Sequence, residues 1–237
     1  PCAAIPFNLP VIHFYGGAVT QGATDELVRH AITKFSHMHF VALPVYKKRL
    51  LQMGEENWRI KVIGIPNIKN LKNEKTLTTQ DLSKIFNLNF KEPVILATFH
   101  SVTLELLNLD LQIKNFLDAI KKTKLQCIFT YPNADRGYEK IISNINTFCK
   151  GNKKYKFVKS LSPKLFSNLL RKCSIMVGNS SSGIVEAASF KLAVVNIGSR
   201  QEGKFKPKNI LDCKNNKNLI YKSIKYGLSK KFKNDLK

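Results

Sequence analysis

Residues 174–198, SIMVGNSSSGIVEAASFKLAVVNIG, decide the fold. SIMVG (174–178) reads as a strand, and its nearly continuous apolar run is that of a strand covered on both sheet faces. Asn-Ser-Ser-Ser-Gly (179–183) then opens a helix predicted over Ser182–Phe190, and LAVVNIG (192–198) is a second strand. Strand, helix and strand at this spacing form a parallel βαβ unit. Working back towards the N-terminus, the same alternation continues. A helix is predicted over Pro163–Lys172, a strand at KFV (156–158), a helix over Tyr138–Cys149, a strand at LQCIFTYP (125–132), a helix over Leu111–Lys121 and a strand at VILATF (94–99). A last helix starts near Leu219.

Residues 67–91 are polar and rich in Lys and Asn, with one helical piece near 79–86, and read as a linker region. Upstream lies a shorter series. VIHF (11–14) is a strand, and Asp25–Phe35 a helix with Thr24 as N-cap and Leu27, Val28, Ala31 and Ile32 as its apolar stripe. HFVAL (39–43) is a strand, Tyr46–Met53 a helix stopped by Gly54, and IKVIGIP (60–66) a strand. The expectation is an α/β chain with a partial Rossmann-like domain at 1–75, a linker at 76–91 and a fuller Rossmann-like domain at 92–237.

The composition is globular, with 43% hydrophobic and 23% charged residues in 237, which excludes a disordered or collagen-like chain. No apolar run reaches the ~18–20 residues of a membrane span. The opening, PCAAIPFNLP, has no basic segment of the kind a signal peptide carries, so a cytoplasmic protein is expected. The start at Pro1 instead of Met reads as a processed chain or a fragment. A net charge of +23 raises the question of nucleic acid, but only six of the 39 basic residues are Arg. Bidentate base and phosphate contacts favour Arg, so a lysine-rich solvated surface is the preferred reading and nucleic-acid binding the lesser one. The five cysteines are odd in number with no CxxC pair, which fits reduced thiols. His37 and His39 form an HxH without further ligands nearby in sequence, and read as structural histidines.

The chemistry gathers at strand ends, where open α/β sheets bind ligands. In GNSSSGIVE the unpaired N–H groups and hydroxyls of a helix start suit a phosphate, and Glu186 suits a ribose diol. His100 follows VILATF, while Asn133, Asp135 and Arg136 follow IFTYP. Gly198, Ser199, Arg200 and Gln201 follow VVN; Arg200 suits a phosphate. His13, Gly16, Gly17 and Asp25 surround a strand end in the first half.

Together, VIHFYGGAVTQGATDELVRHAITKFSHMHF, RIKVIGIPNI, ATFHSVTLE, YPNADRG, VGNSSSGIVEAASF and VNIGSRQEGKF make the chain resemble the UDP-N-acetylglucosamine 2-epimerases, in their hydrolysing branch. The resemblance implies two Rossmann-like domains of glycosyltransferase-B type, the first incomplete here, with a UDP-sugar in the cleft between them. It implies that Ser180, Ser181 and Glu186 hold the diphosphate and ribose. It further implies that Asn133, Arg200, Arg29 and His13 line the substrate site, and that Asp25 and His100 are catalytic. The implied reaction removes the C2 proton of the sugar, expels UDP from C1 to leave a 2-acetamidoglucal, and adds water to give the free 2-epimer. It calls for no metal or redox cofactor, and a complete member is expected to be a homo-oligomer. Two departures stand out. The branch reads GGE where this chain has Gly16-Gly17-Ala18, and Lys69 stands where the branch has Asp. A methyl carries no proton, so a non-catalytic or split relative that binds only a uridine nucleotide is the alternative.

Overall fold

The computed structural model describes residues 1–19, 25–102 and 105–236. They fall into two units, residues 1–70 with 202–204, and residues 71–201 with 205–237.

The first unit begins with a 3-10 turn, Cys2–Phe7, followed by β1 (Ile12–Phe14), α1 (Asp25–Lys34), β2 (Met38–Val41), α2 (Pro44–Gln52) and β3 (Ile60–Val62). The strands form one parallel sheet in the order β1-β2-β3, with His13 opposite His39 and Val41 opposite Val62. Pro44 starts α2, where its fixed φ suits a helix and its missing N–H costs nothing. The apolar core is small: Val41, Leu50 and Ile60, with Tyr46 and Met53 packed against it. The expected stripe of α1 is not a buried face. Leu27, Val28 and Ala31 are exposed, Ile32 is half-buried, and the buried residue is Thr33. Thr24, the expected N-cap, lies outside the described residues. α3 (Pro66–Asn73) follows.

The second unit opens with α4 (Thr79–Phe86). Thr78 and Asp81 cap each other's backbone N–H there in a capping box. Then come β4 (Val94–Thr98), α5 (Leu109–Thr123), β5 (Gln126–Thr130), α6 (Tyr138–Cys149), β6 (Tyr155–Val158) and α7 (Pro163–Lys172). β7 (Ile175–Gly178), α8 (Ser181–Val185), β8 (Val194–Ile197), β9 (Ile210–Cys213), α9 (Lys217–Gly227) and α10 (Lys230–Asn234) complete it. All six strands are parallel, in the order β6-β5-β4-β7-β8-β9, the doubly wound order of a Rossmann sheet. β4 shows why both faces are apolar. Ile95 and Ala97 point into a core shared with Phe116 and Ile120 of α5, Ile141 of α6 and Ile220 of α9. Val94 and Leu96 point into the opposite core with Leu82 and Phe86 of α4 and Leu169 of α7. Each face is closed by helices, the condition under which a parallel sheet is stable.

Residues 76–91, expected as a linker, therefore carry α4 and bury Leu82, Phe86, Leu88 and Phe90 in that second core. The helix expected over Ser182–Phe190 is two pieces, α8 and a 3-10 turn at Ala187–Phe190. Among the described residues no helix is long and apolar enough to cross a membrane.

Candidate functional site

β4 and β7 are neighbours in the second unit's sheet, yet β4 continues to β5 on one side and β7 to β8 on the other. The crevice beyond their carboxyl ends is the switch point at which doubly wound sheets bind ligands. The last residues of the two strands, Thr98 and Gly178, are register partners. Gly178 has φ +145°, and a Cβ there would stand 1.8 Å from the Thr98 carbonyl oxygen, so only glycine lets the strands end this close.

Asn179 comes next and is buried. Its Oδ1 accepts from the His100 backbone N–H at 2.7 Å, and its Nδ2 donates to the His100 carbonyl at 2.8 Å. One amide thus joins the segments leaving β4 and β7. The Asn179 carbonyl accepts from Gln201 Nε2 at 2.8 Å and from an Arg200 guanidinium nitrogen at 3.2 Å, which adds the segment leaving β8. Arg200 also faces Asp135 at 3.6 Å. The segment leaving β5 joins through Asn133, whose backbone N–H donates to His100 Nδ1 at 3.0 Å. Glu105 accepts from Ser199 Oγ in a short hydrogen bond and from Gln112 Nε2 at 2.6 Å. Four strand ends are tied together by side chains and turns that no sheet needs for its own pairing.

Ser180 is the N-cap of α8; its oxygen accepts from the Ser182 N–H at 3.3 Å. Ser180, Ser181 and Ser182 are half-buried, as is Glu186, which follows the last residue of α8. A five-residue helix has little macrodipole, so an anion here would be held by N–H groups, hydroxyls and the nearby Arg200. Ser101 Oγ and Gln201 Oε1 are buried with no hydrogen-bond partner among the described residues. Such orphaned polar atoms are rare outside sites that receive a polar ligand or water. Burial, with the Arg200 charge adding to it, lowers the His100 pKa from 6.5 to about 3, so His100 is neutral.

Of the expected site residues, His100, Asn133, Ser180, Ser181, Glu186 and Arg200 belong to the second unit, and His13, Asp25 and Arg29 to the first. In the first unit, His13 is the buried middle residue of β1, its Nδ1 3.2 Å from Thr33 Oγ1. Burial first, then the charges of His39 and Arg29, lower its pKa to about 4. Arg29 donates to the Ala18 carbonyl at 2.9 Å, and Arg49 to the Gly17 carbonyl, so two guanidinium groups hold the Gly-Gly-Ala turn. Gly17 has φ +76° and would clash with the Tyr46 carbonyl if it bore a Cβ. Asp25 is the first residue of α1. His39 is fully buried, with Nε2 3.2 Å from Glu55, whose other oxygen meets Lys34 Nζ at 2.8 Å. His37 Nδ1 accepts from the Val11 N–H. Both histidines of the HxH are thus engaged structurally; His39 is buried in β2, and His37 is exposed and precedes it. All five cysteines are free thiols. Among the described residues no three His, Cys, Asp or Glu side chains group as metal ligands.

Reading by sequence named Gln201 only as one of a strand-end group and missed Asn179 and Glu105 as individual residues. Asn179 sits beside three serines that claim attention as phosphate ligands, and Glu105 sits at the end of the His100 segment. The signal available was position: each lies within a few residues of a strand's carboxyl end.

Comparison with known proteins finds relatives along most of the chain. The chain is 38% identical over 213 residues to a hydrolysing GDP/UDP-N,N'-diacetylbacillosamine 2-epimerase of Campylobacter jejuni, covering 88% of this chain and 55% of that protein. It is 37% identical to a hydrolysing UDP-N,N'-diacetylbacillosamine 2-epimerase of Legionella pneumophila, covering 95% of this chain and 58% of that protein. The chain therefore spans a little over half the length of these relatives. Among solved structures, its fold matches a UDP-GlcNAc 2-epimerase of Neisseria meningitidis bound to UDP-GlcNAc. The TM-score is 0.77 at 18% identity, covering 99% of this chain and 66% of that one. An S. aureus MnaA–UDP co-structure matches with a TM-score of 0.79 at 18% identity, covering 99% and 65%. The family model described as UDP-N-acetylglucosamine 2-epimerase matches residues 2–236, and the chain belongs to that family.

Proposed function

We propose that this chain takes part in the hydrolysing 2-epimerisation of a UDP-linked 2-acetamido sugar, releasing UDP and the free 2-epimer. The observation that carries the reading is the tied cluster at the β4–β7 switch point, where His100, Asn133, Asn179, Arg200 and the serine turn converge. In this reading Ser180 and Ser181 donate to the diphosphate, Arg200 offsets its charge, and Glu186 accepts from the ribose hydroxyls. Cations and N–H donors at that point stabilise the charge that develops as UDP leaves C1. Asp25 is the proposed proton-transfer carboxylate, and His13 and Arg29 support the sugar side. A diacetamido sugar is the favoured substrate, because the two bacillosamine-named relatives are 38% and 37% identical and the Neisseria meningitidis UDP-N-acetylglucosamine enzyme 30%.

A second reading has its own observation. Ala18 occupies the place of the branch's GGE carboxylate, and a positioned acid or base contributes about 10²–10⁴-fold to rate. The chain would then bind the nucleotide without turning over the sugar.

Calorimetric titration of UDP, followed in the same sample by an assay of UDP release from UDP-N,N'-diacetylbacillosamine and UDP-N-acetylglucosamine, separates the two. Binding with release is the expected result. Binding without release supports the second reading, and no binding by the folded chain overturns both.

A further inference from the structure

We propose that the cavity at the amino end of the second unit's sheet, between the ends of α5 and α6 and the start of β6, binds a compact soluble polyphosphate through Lys121, Lys150 and Lys153. This site is separate from the crevice at the β4–β7 switch point and does not depend on the nucleotide reading.

The charge pattern of the chain singles out this place. Between Glu139 and Glu186 stand nine Lys and Arg and no carboxylate, and between Asp118 and Asp135 three Lys and again no carboxylate. The fold lays the ends of these two stretches side by side. The Lys124 carbonyl, in the turn from α5 to β5, accepts from Lys154 Nζ at 3.2 Å, and the Lys154 carbonyl accepts from the Cys127 N–H at 3.0 Å. Beside this junction is a cavity of about 470 Å³ walled by Lys121, Lys150, Lys153, Thr147, Phe148 and Tyr155, and no carboxylate lines it among the described residues. Its size lies in the range of small-ligand sites.

The turn that carries two of the lysines is shaped by its own bonds. The Asn152 N–H donates to the Cys149 carbonyl at 3.1 Å, the Tyr155 N–H to the Asn152 carbonyl at 3.2 Å, and the Lys154 N–H to Asn152 Oδ1 at 3.0 Å. Phe148 and Tyr155 stack with centroids 4.8 Å apart and planes 12° apart, which gives the cavity one apolar wall.

Helix ends explain only part of the cluster. Lys121 lies in the last turn of α5 and Lys150 is the C-cap of α6, where the negative end of a helix favours a cation. Lys153 belongs to neither helix. Among the described residues none of the three is in an ion pair, although Lys140, Lys206 and Lys217 of the same unit each pair with an Asp. Ammonium groups without counter-charge around one cavity repel one another, and an anion with several charges relieves that repulsion. Lysine presents a compact point charge that suits phosphate oxygens, and no guanidinium fork is present to hold a carboxylate bidentately. β5 and β6 run five and four residues from this end to the one that bears Asn133, so the two sites lie about 15 Å apart at ~3.3 Å per residue.

The test is calorimetric titration of inorganic triphosphate into the full chain, with and without saturating UDP. Binding that persists in UDP and weakens as salt is raised is the expected result. Lys121→Ala, Lys150→Ala and Lys153→Ala should each weaken it about two- to fivefold, the scale of an exposed ion pair, and the three together at least about tenfold. Lys47→Ala, Lys48→Ala and Lys61→Ala combined remove the same charge from the first unit and should leave it within about twofold. Equal losses in the two triple variants would reduce the effect to net charge and overturn the site. Triphosphate binding that UDP displaces, or none by the folded parent, would overturn it too. So would a chain that ignores triphosphate yet sediments with phosphatidylserine–phosphatidylcholine vesicles, which would give the lysines to a membrane surface. A parent that binds triphosphate but not UDP overturns the nucleotide reading and leaves this site standing.

Discussion

At the scale of single residues, Ala18 is the position with the most to reveal. Its carbonyl is held by Arg29, and Arg49 fixes the preceding Gly17, so the turn is shaped whether or not a carboxylate stands on it. Ala18→Glu should raise UDP release at least about 10²-fold, with UDP affinity unchanged, if that carboxylate is what the chain lacks. Steady-state kinetics with parallel calorimetry checks this, and an unchanged rate would place the deficit elsewhere. His100 makes a second prediction. Its folded pKa of about 3 lies below the ordinary 6.5, so the unfolded chain binds a proton that the folded chain refuses. The stability this gives is complete above about pH 6.5 and is lost as pH falls from there towards 3, at about 1.4 kcal/mol per unit. His13, lowered to about 4, acts in the same sense over a narrower range. Urea midpoints measured at pH 7.5 and 5.5 should therefore converge in His100→Gln relative to the parent. Equal pH slopes would contradict the neutral buried ring.

At the scale of elements, the sequence was most legible where periodicity and caps agree. α4, α6 and α7 begin and end at the predicted residues, because Ser162 and the Thr78–Asp81 box mark two of their starts and all three carry a regular apolar stripe. β9 was not anticipated: it is a half-buried edge strand without clean alternation, set among Lys and Asn. α8 was anticipated as longer than it is, because EAASF continues a helical pattern while the chain tightens into a 3-10 turn at Ala187. The linker reading failed for a different reason. Lys and Asn are frequent in residues 67–91, yet Leu82 and Phe86 of α4, with Leu88 and Phe90 after it, enter the core. Asn168 secures this segment. Fully buried on α7, it accepts from the Leu77 N–H at 2.7 Å and donates to the Lys75 and Lys164 carbonyls. Asn168→Ala should cost about 2–4 kcal/mol, since buried backbone groups lose their partners. Amide hydrogen exchange should rise first over residues 75–90. A cost below 1 kcal/mol would show the segment to be held by α4 alone.

At the scale of the molecule, the two units differ in how much holds them. The second has two extensive apolar cores on the two faces of six strands, whereas among the described residues the first has a core of three fully buried apolar side chains, Val41, Leu50 and Ile60. Brief trypsin treatment should cut within residues 1–66 well before residues 92–230, because local opening tracks buried apolar contact. Mass spectrometry of the fragments decides it, and equal protection of both regions would contradict the difference in cores. The position of the candidate site was legible only as far as the motifs lie at strand ends, where open α/β sheets attract ligands. The ties among those ends were not, because a hydrogen bond between residues 100 and 179 leaves no mark in sequence spacing.

Thr98 and Gly178, which meet at the end of β4 and β7, are separated by eighty positions of chain. A ribosome adds about 5–20 residues per second, so β4 waits roughly 4–16 s for its central neighbour to be made. Until then the only partner that can be made for Ile95, Leu96 and Ala97 is β5, which leaves the other side open to any strand or chaperone that reaches it. Nascent chains stalled before residue 178 should therefore be captured by a hydrophobic holdase, and chains stalled well after it should escape. The glycine that lets the two strands close at their carboxyl ends also sets the moment at which synthesis stops being hazardous.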